Sequence, residues 1–126
     1  MEADPEVVYR HLVDPAELAE WIALGGALSD PVEGGALRWS FANGAVMSGR
    51  YLELDPPRRI VFTYGWEDDL RGVPPGATIV EIDLEPHPRG TRLRLTHRLL
   101  PDHAAEDHRL GWDHFLAVLA HRLARP

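Results

Sequence analysis

His97 is the side chain in this sequence with the most pointed chemistry. It stands in the alternation Leu93, Leu95, His97, Leu99, set against Arg92, Arg94, Thr96 and Arg98, so strand parity turns its imidazole toward an apolar interior. A neutral imidazole there can hold a polar group of a ligand or shuttle a proton. The competing reading is a buried histidine satisfied by a backbone carbonyl or a helix residue, the usual fate of such a group. Tyr64, in the series Ile60, Phe62, Tyr64, Trp66, offers a hydroxyl to the same interior. Tyr51 does so if its strand turns Met47 and Tyr51 inward rather than Val46, Leu52 and Leu54. The rings of Trp39, Phe62, Tyr64 and Trp66 share one face of their strands. With Trp21, Trp112 and Phe115 they are expected to line a pocket for a small apolar or aromatic molecule, since binding pockets are mostly apolar with few polar groups. Any one of these rings taken alone is more often core filling.

Other chemistries find less support. His103, His108, His114 and His121 follow one another at gaps of five, six and seven, so no pair has the i, i+3 or i, i+4 spacing by which one helical face clamps a cation. His11 and His87 are isolated, and no metal is expected. Glu67-Asp68-Asp69 reads as a solvated loop, without the alternating oxygen ligands of a calcium loop. There is no Cys, which excludes thiolate chemistry and disulfides. None of Ser29, Ser40 and Ser48 sits in a Gly-x-Ser-x-Gly elbow, and Gly25-Gly26 and Gly34-Gly35 lack the trailing Gly or Lys of a phosphate cradle and read as turns. Asp102 and Glu106 are better explained by capping and the helix dipole than as a catalytic carboxylate pair. No cofactor is implied.

The elements that must position these side chains are legible from periodicity. Asp4-Pro5 and Asp14-Pro15 each announce a short helix, over about 5–12 and 15–22, because Asp caps free amides and Pro is pre-set for the first turn. After Gly34-Gly35 the period becomes two: a strand at Leu37, Trp39 and Phe41, a turn at Asn43-Gly44, and a second strand over about 45–54. Asp55-Pro56-Pro57-Arg58 forces another turn before the Ile60–Trp66 strand. A loop over 68–76 follows, then a strand at Thr78, Val80, Ile82 and Leu84, then the His97 strand. The last helix is expected over about 103–124, capped by Asp102. Its stripe of Trp112, Phe115, Leu116, Leu119 and Leu123 has to be buried, most economically across the concave face of the meander. Gly111 inside that helix costs about 1 kcal/mol relative to Ala, which close packing or a local bend should offset.

Composition bounds the rest. The 126 residues are 44% hydrophobic and 26% charged, the balance of one compact domain over 1–126. All thirteen basic residues are Arg, and twenty acidic residues leave a net charge of −7. Such a chain is repelled by phosphate backbones and anionic membrane surfaces, so neither nucleic acid nor membrane is an expected partner. No stretch approaches the roughly 20 apolar residues of a membrane span, and the N-terminus lacks a signal pattern. A cytoplasmic location follows.

The ordered landmarks Asp4-Pro5-Glu6-Val7, Asp14-Pro15, Trp21, Gly34-Gly35, Asp55-Pro56-Pro57-Arg58-Arg59, Gly90-Thr91-Arg92-Leu93, Thr96-His97 and Gly111-Trp112 resemble one family over almost the whole chain. It is the START-like helix-grip superfamily (SRPBCC), in its branch similar to the activator of the Hsp90 ATPase. The resemblance implies an α+β helix-grip fold, with a curved antiparallel sheet wrapped around a long C-terminal helix and two short N-terminal helices closing one end of a largely apolar cavity. It also implies a first strand before the Pro-Glu-x-Val helix, pairing with the last strand of the meander. Only Met1 to Asp4 stand there, so that strand is expected to be missing, either because the start is truncated or because the fold is made with one strand fewer, and the exposed edge is expected to favour a homodimer. The expected function is binding of a small hydrophobic or aromatic ligand, more in keeping with a non-enzyme. The alternatives are a polyketide cyclase or dehydratase-like enzyme using His97 or Tyr64 as acid or base, and, ranked below it, a chaperone ATPase partner.

Overall fold

The computed structural model describes residues 1–68 and 72–125. Two short helices open the chain, α1 (Pro5–Val13) and α2 (Pro15–Trp21). Asp14 caps α2 as expected, its carboxylate accepting from the amides of Ala16 at 2.8 Å and Glu17 at 3.2 Å. Asp4 holds the cap position of α1 without a side-chain cap bond and instead faces the Arg125 guanidinium at 3.8 Å.

Six antiparallel strands follow in sequence order: β1 (Gly26–Ser29), β2 (Ala36–Ser40), β3 (Val46–Asp55), β4 (Arg59–Trp66), β5 (Thr78–His87) and β6 (Gly90–Arg98). The meander therefore carries one strand more than expected at its first edge, since β1 pairs with β2 through Gly26↔Ser40 and Ala27↔Trp39. The first glycine pair thus leads into a strand. The Asn43-Gly44 turn forms as expected: Gly44 donates to Phe41 at 3.0 Å, with φ at +89° where a side chain would be strained. The ambiguous parity of β3 has a physical cause. Met47 and Tyr51 point inward and Leu52 is 49% exposed, but the register slips between Tyr51 and Glu53. That bulge returns Leu54 to the buried side, so each half of β3 follows its own phase.

β4 is buried along nearly its whole length. β5 alternates as expected, with Thr78, Val80, Ile82 and Leu84 inward. Its outward Glu81 and Asp83 meet Arg59 at 3.2 and 2.8 Å. In β6 the inward column is Leu93, Leu95 and His97, partly buried. Leu99 does not continue it: the strand ends at Arg98, and Leu99 takes φ +67° and is 66% exposed. Among the described residues the far edge of β6 is paired at Thr91, which exchanges backbone hydrogen bonds with Met1. Glu67, just beyond β4, is no free loop carboxylate. Arg38 at 2.7 Å and the Ser48 hydroxyl hold its pKa down to about 2. Asp69 lies outside the described residues.

The last helix, α3 (Asp102–Arg122), begins one residue earlier than expected. Pro101 occupies the cap position and no side chain caps the helix, so Asp102 sits in the first turn as a dipole complement rather than as the cap. The rings of Trp112 and Phe115 pack on Trp39 and Phe41, with centroids 6.3 and 5.5 Å apart, which lays α3 across the inner face of the sheet. Among the described residues no helix is long and apolar enough to cross a membrane.

Candidate functional site

The face that α3 turns to the sheet runs Ala104, His108, Trp112, Phe115, Leu119, a spacing of four, four, three and four. Two indoles and two imidazoles meet at its centre in a reciprocal arrangement. Trp112 of α3 donates its Nε1–H to Nδ1 of His97 on β6 at 3.0 Å. Trp66 of β4 donates its Nε1–H to Nε2 of His108 on α3 at 3.0 Å. The sheet thus lends a tryptophan to a helix histidine, and the helix lends one back.

The remaining bonds fix both tautomers. The Thr78 hydroxyl donates to the Tyr64 carbonyl at 2.7 Å, so at 2.8 Å it accepts the Nε2–H of His97. His108 donates its Nδ1–H to the Ala104 carbonyl at 2.8 Å. An indole N–H only donates, so each imidazole is neutral, with one nitrogen donating and the other accepting. Burial, and after it the neighbouring His108, pushes the pKa of His97 down to about 4. The Tyr64 ring packs on both pairs, 4.7 Å from His97 and 5.9 Å from His108.

Beside this cluster, between the β2–β3 turn and α3, an open cleft of about 950 Å³ is bounded by Ile22, Phe41, Tyr64, Trp66, Trp112 and Phe115, with His103, Asp107 and His114 among its polar groups. Phe41 stacks at a tilt on Trp66 at 5.3 Å and on Phe115 at 5.5 Å, forming one aromatic wall. Gly111 of α3 also faces the cleft, and a Cβ built there would meet nothing within 4 Å. Among the described residues the close packing expected to offset this glycine is therefore absent, and the position opens onto space.

Of the residues singled out from the sequence, Tyr64, Trp66, Trp112 and Phe115 come together at the cleft. Trp39 and Phe62 stand behind them in the core, 5.6 Å apart. Among the described residues the buried Trp39 Nε1–H has no hydrogen-bond partner. Trp21 is in a different place, at the end of α2, where its indole donates to the His11 carbonyl of α1 at 2.9 Å. His97 opens onto a smaller hollow of about 420 Å³ on the opposite side of α3, beside Leu95, Arg109 and Asp113. Tyr51 bonds Ser29 at 2.6 Å, and burial pushes its phenol up to about 12. Sequence reasoning missed His108, Phe41 and Gly111 as site residues. The signal for His108 was available, because it lies one helical turn before Trp112 on the buried stripe. Among the described residues no three His, Asp or Glu side chains gather as a metal site.

Comparison with known proteins places this geometry in context. The family model described as "Activator of Hsp90 ATPase homolog 1-like protein" matches residues 2–124. No curated protein matches. Among solved structures, protein CV1439 from Chromobacterium violaceum is 34% identical, with 100% of this chain and 93% of that one covered at a TM-score of 0.82. PFC0360w, an HSP90 activator from Plasmodium falciparum, is 24% identical over 99% of this chain and 91% of its own, at 0.79. The Aha1 dimer from Colwellia psychrerythraea is 23% identical over 98% and 90%, at 0.80. The last two show likeness of fold.

Proposed function

Since the chain belongs to the activator of Hsp90 ATPase homolog 1-like protein family, we propose that residues 1–126 act as one helix-grip domain. In this reading the domain binds a small apolar or aromatic molecule, in the cytoplasm, between the sheet and α3. The observation that carries the reading is the aromatic wall of Trp66, Phe41 and Phe115 beside the open cleft of about 950 Å³. That volume falls in the range of small-molecule sites, and a few polar groups at an apolar wall are what such sites use for orientation. Trp39, Phe62 and Trp21 serve in this reading as the packing that holds the wall in place.

The site gives less support to acid–base chemistry. Both nitrogens of His97 are engaged by Thr78 and Trp112, and a general base needs a lone pair within reach of the ligand's proton. His97 therefore acts on the architecture. Native mass spectrometry of the purified protein tests the binding reading: a co-purifying small organic molecule lost on denaturation is the expected result. A bare protein that also takes up no uncharged aromatic dye would overturn it.

Pairing of two copies is a second reading, favoured by the edge of β6 beyond Thr91 and by a neighbour of the same fold described as a dimer. The outward side chains of that edge are Arg92, Arg94, Thr96 and Arg98. An antiparallel β6–β6 pairing would set arginines opposite one another, which is unfavourable and screened by salt. Light scattering should show the dimer fraction rising with ionic strength; a monomer at every salt concentration would remove the dimer.

A further inference from the structure

Among the described residues that bound the cleft beside α3, one carboxylate stands, that of Asp107. His103, His108 and His114 border the cleft too, and an imidazole in its neutral form adds no charge. The basic side chains of the chain, histidine aside, are all Arg, and no described Arg borders the cleft. The acidic neighbours of Asp107 on α3 are already taken up, since Arg109 holds Glu106 at 2.6 Å and Asp113 at 3.0 Å. Among the described residues no such cation engages Asp107.

Helix geometry decides what stands next to that carboxylate. Asp107, Gly111 and Phe115 follow one another at intervals of four, so they form one row on α3. Eight residues separate the two ends by about 12 Å along the helix axis. Gly111 puts no side chain between them, and a Cβ built there meets nothing within 4 Å. On the far side of the gap Phe115 packs on Phe41 at 5.5 Å, and Phe41 on Trp66 at 5.3 Å. A positively charged nitrogen gains on both sides of such a gap, from a charge-assisted hydrogen bond to a carboxylate and from the negative face of an aromatic ring. We infer that the cleft selects ligands carrying a cationic nitrogen on an aromatic body, with the charged head in the gap over Gly111, between the Asp107 carboxylate and the Phe115 ring, and the body against Phe41 and Trp66. The inference rests on the binding reading above and adds the class of ligand. The gap accommodates an ammonium head about 3 Å from the carboxylate and within about 6 Å of the ring. The net charge of −7 acts in the same direction, drawing cations toward the molecule. An anionic aromatic meets the opposite, repelled by Asp107 with no described arginine in the cleft to offset it. Asp107 is exposed, so salt screens its share of the attraction.

Three probes with one naphthyl body and different heads test this by calorimetric titration of the intact chain at pH 8: naphthylethylammonium, naphthylethanol and naphthylacetate. The ammonium should bind at least about tenfold tighter than the alcohol and the carboxylate weakest of the three. Raising the salt concentration should narrow the difference. Asp107→Asn keeps the size of the side chain and removes its charge, and the ratio of ammonium to alcohol affinity should fall there at least about fivefold. In Asp107→Glu, which restores the charge, the preference for the ammonium should persist. Equal affinity of the wild type for ammonium and alcohol, tightest binding of the carboxylate, or an unchanged ratio in Asp107→Asn would overturn the inference and leave the cleft reading standing. Binding of none of the three probes would overturn both.

Discussion

At the scale of the residue, His97 shows how far a parity argument reaches. Alternation with Leu93 and Leu95 gives the direction of its ring, and the ring does point inward. Alternation says nothing of its partners, because Trp112 lies fifteen residues on in sequence, and which way its indole donates depends on the rotation of α3. His108 is harder to see for a different reason: as one of four helix histidines it invites comparison with the others for metal spacing, rather than with Trp112 for burial. The engaged ring of His97 has a thermodynamic consequence. Its neutral form is favoured when folded, with the pKa down from 6.5 to about 4. Between those values the unfolded chain binds the more protons, so stability rises with pH across this window and is lost as pH falls through it. A tenfold difference in proton affinity between the folded and unfolded chain is worth about 1.4 kcal/mol, and with part exposure allowed for we expect about 2 kcal/mol from this group. Urea unfolding between pH 4 and 7 should therefore show a steeper acid loss for wild type than for His97→Asn, and parallel profiles would contradict the assignment.

At the scale of the element, the strands and helices with strong periodicity are legible in the sequence and the exceptions have local causes. β1 is four residues long, entered through Gly26 at φ +115°, too short to show an alternation. β3 changes phase at its bulge, so one parity cannot describe it. Asp102 attracts the cap assignment of α3 because Asp is a strong cap, yet Pro101 already adopts the extended conformation that a cap requires. Gly111 is the instructive case. Helix propensity alone marks it as costly, and among the described residues no neighbour compensates within 4 Å. Gly111→Ala should therefore stabilise the protein by about 1 kcal/mol, read as a higher urea midpoint at unchanged slope. A destabilised variant would mean that the position is tighter than its geometry shows.

At the scale of the whole molecule, ordered landmarks along the chain imply the layout of one sheet, one long helix and two short ones, because spacing between turns constrains topology even where single residues do not. What landmarks do not convey is where the layers stand apart. Inward-facing rings can meet and fill the centre, as Trp39, Phe62 and Tyr51 do, or stop short, as they do beside Gly111 and Phe115. That difference depends on the tilt of α3, which periodicity does not contain. The functional account depends on the space left there being used. Titration of N-phenyl-1-naphthylamine at pH 7 into wild type and into Gly111→Leu, which puts a side chain into the cleft from the helix, tests this most directly. Saturable one-to-one binding by wild type, weakened at least about tenfold in a variant with unchanged circular dichroism, is the predicted result. Equal affinity in the two proteins, or no saturable binding by wild type, would contradict it.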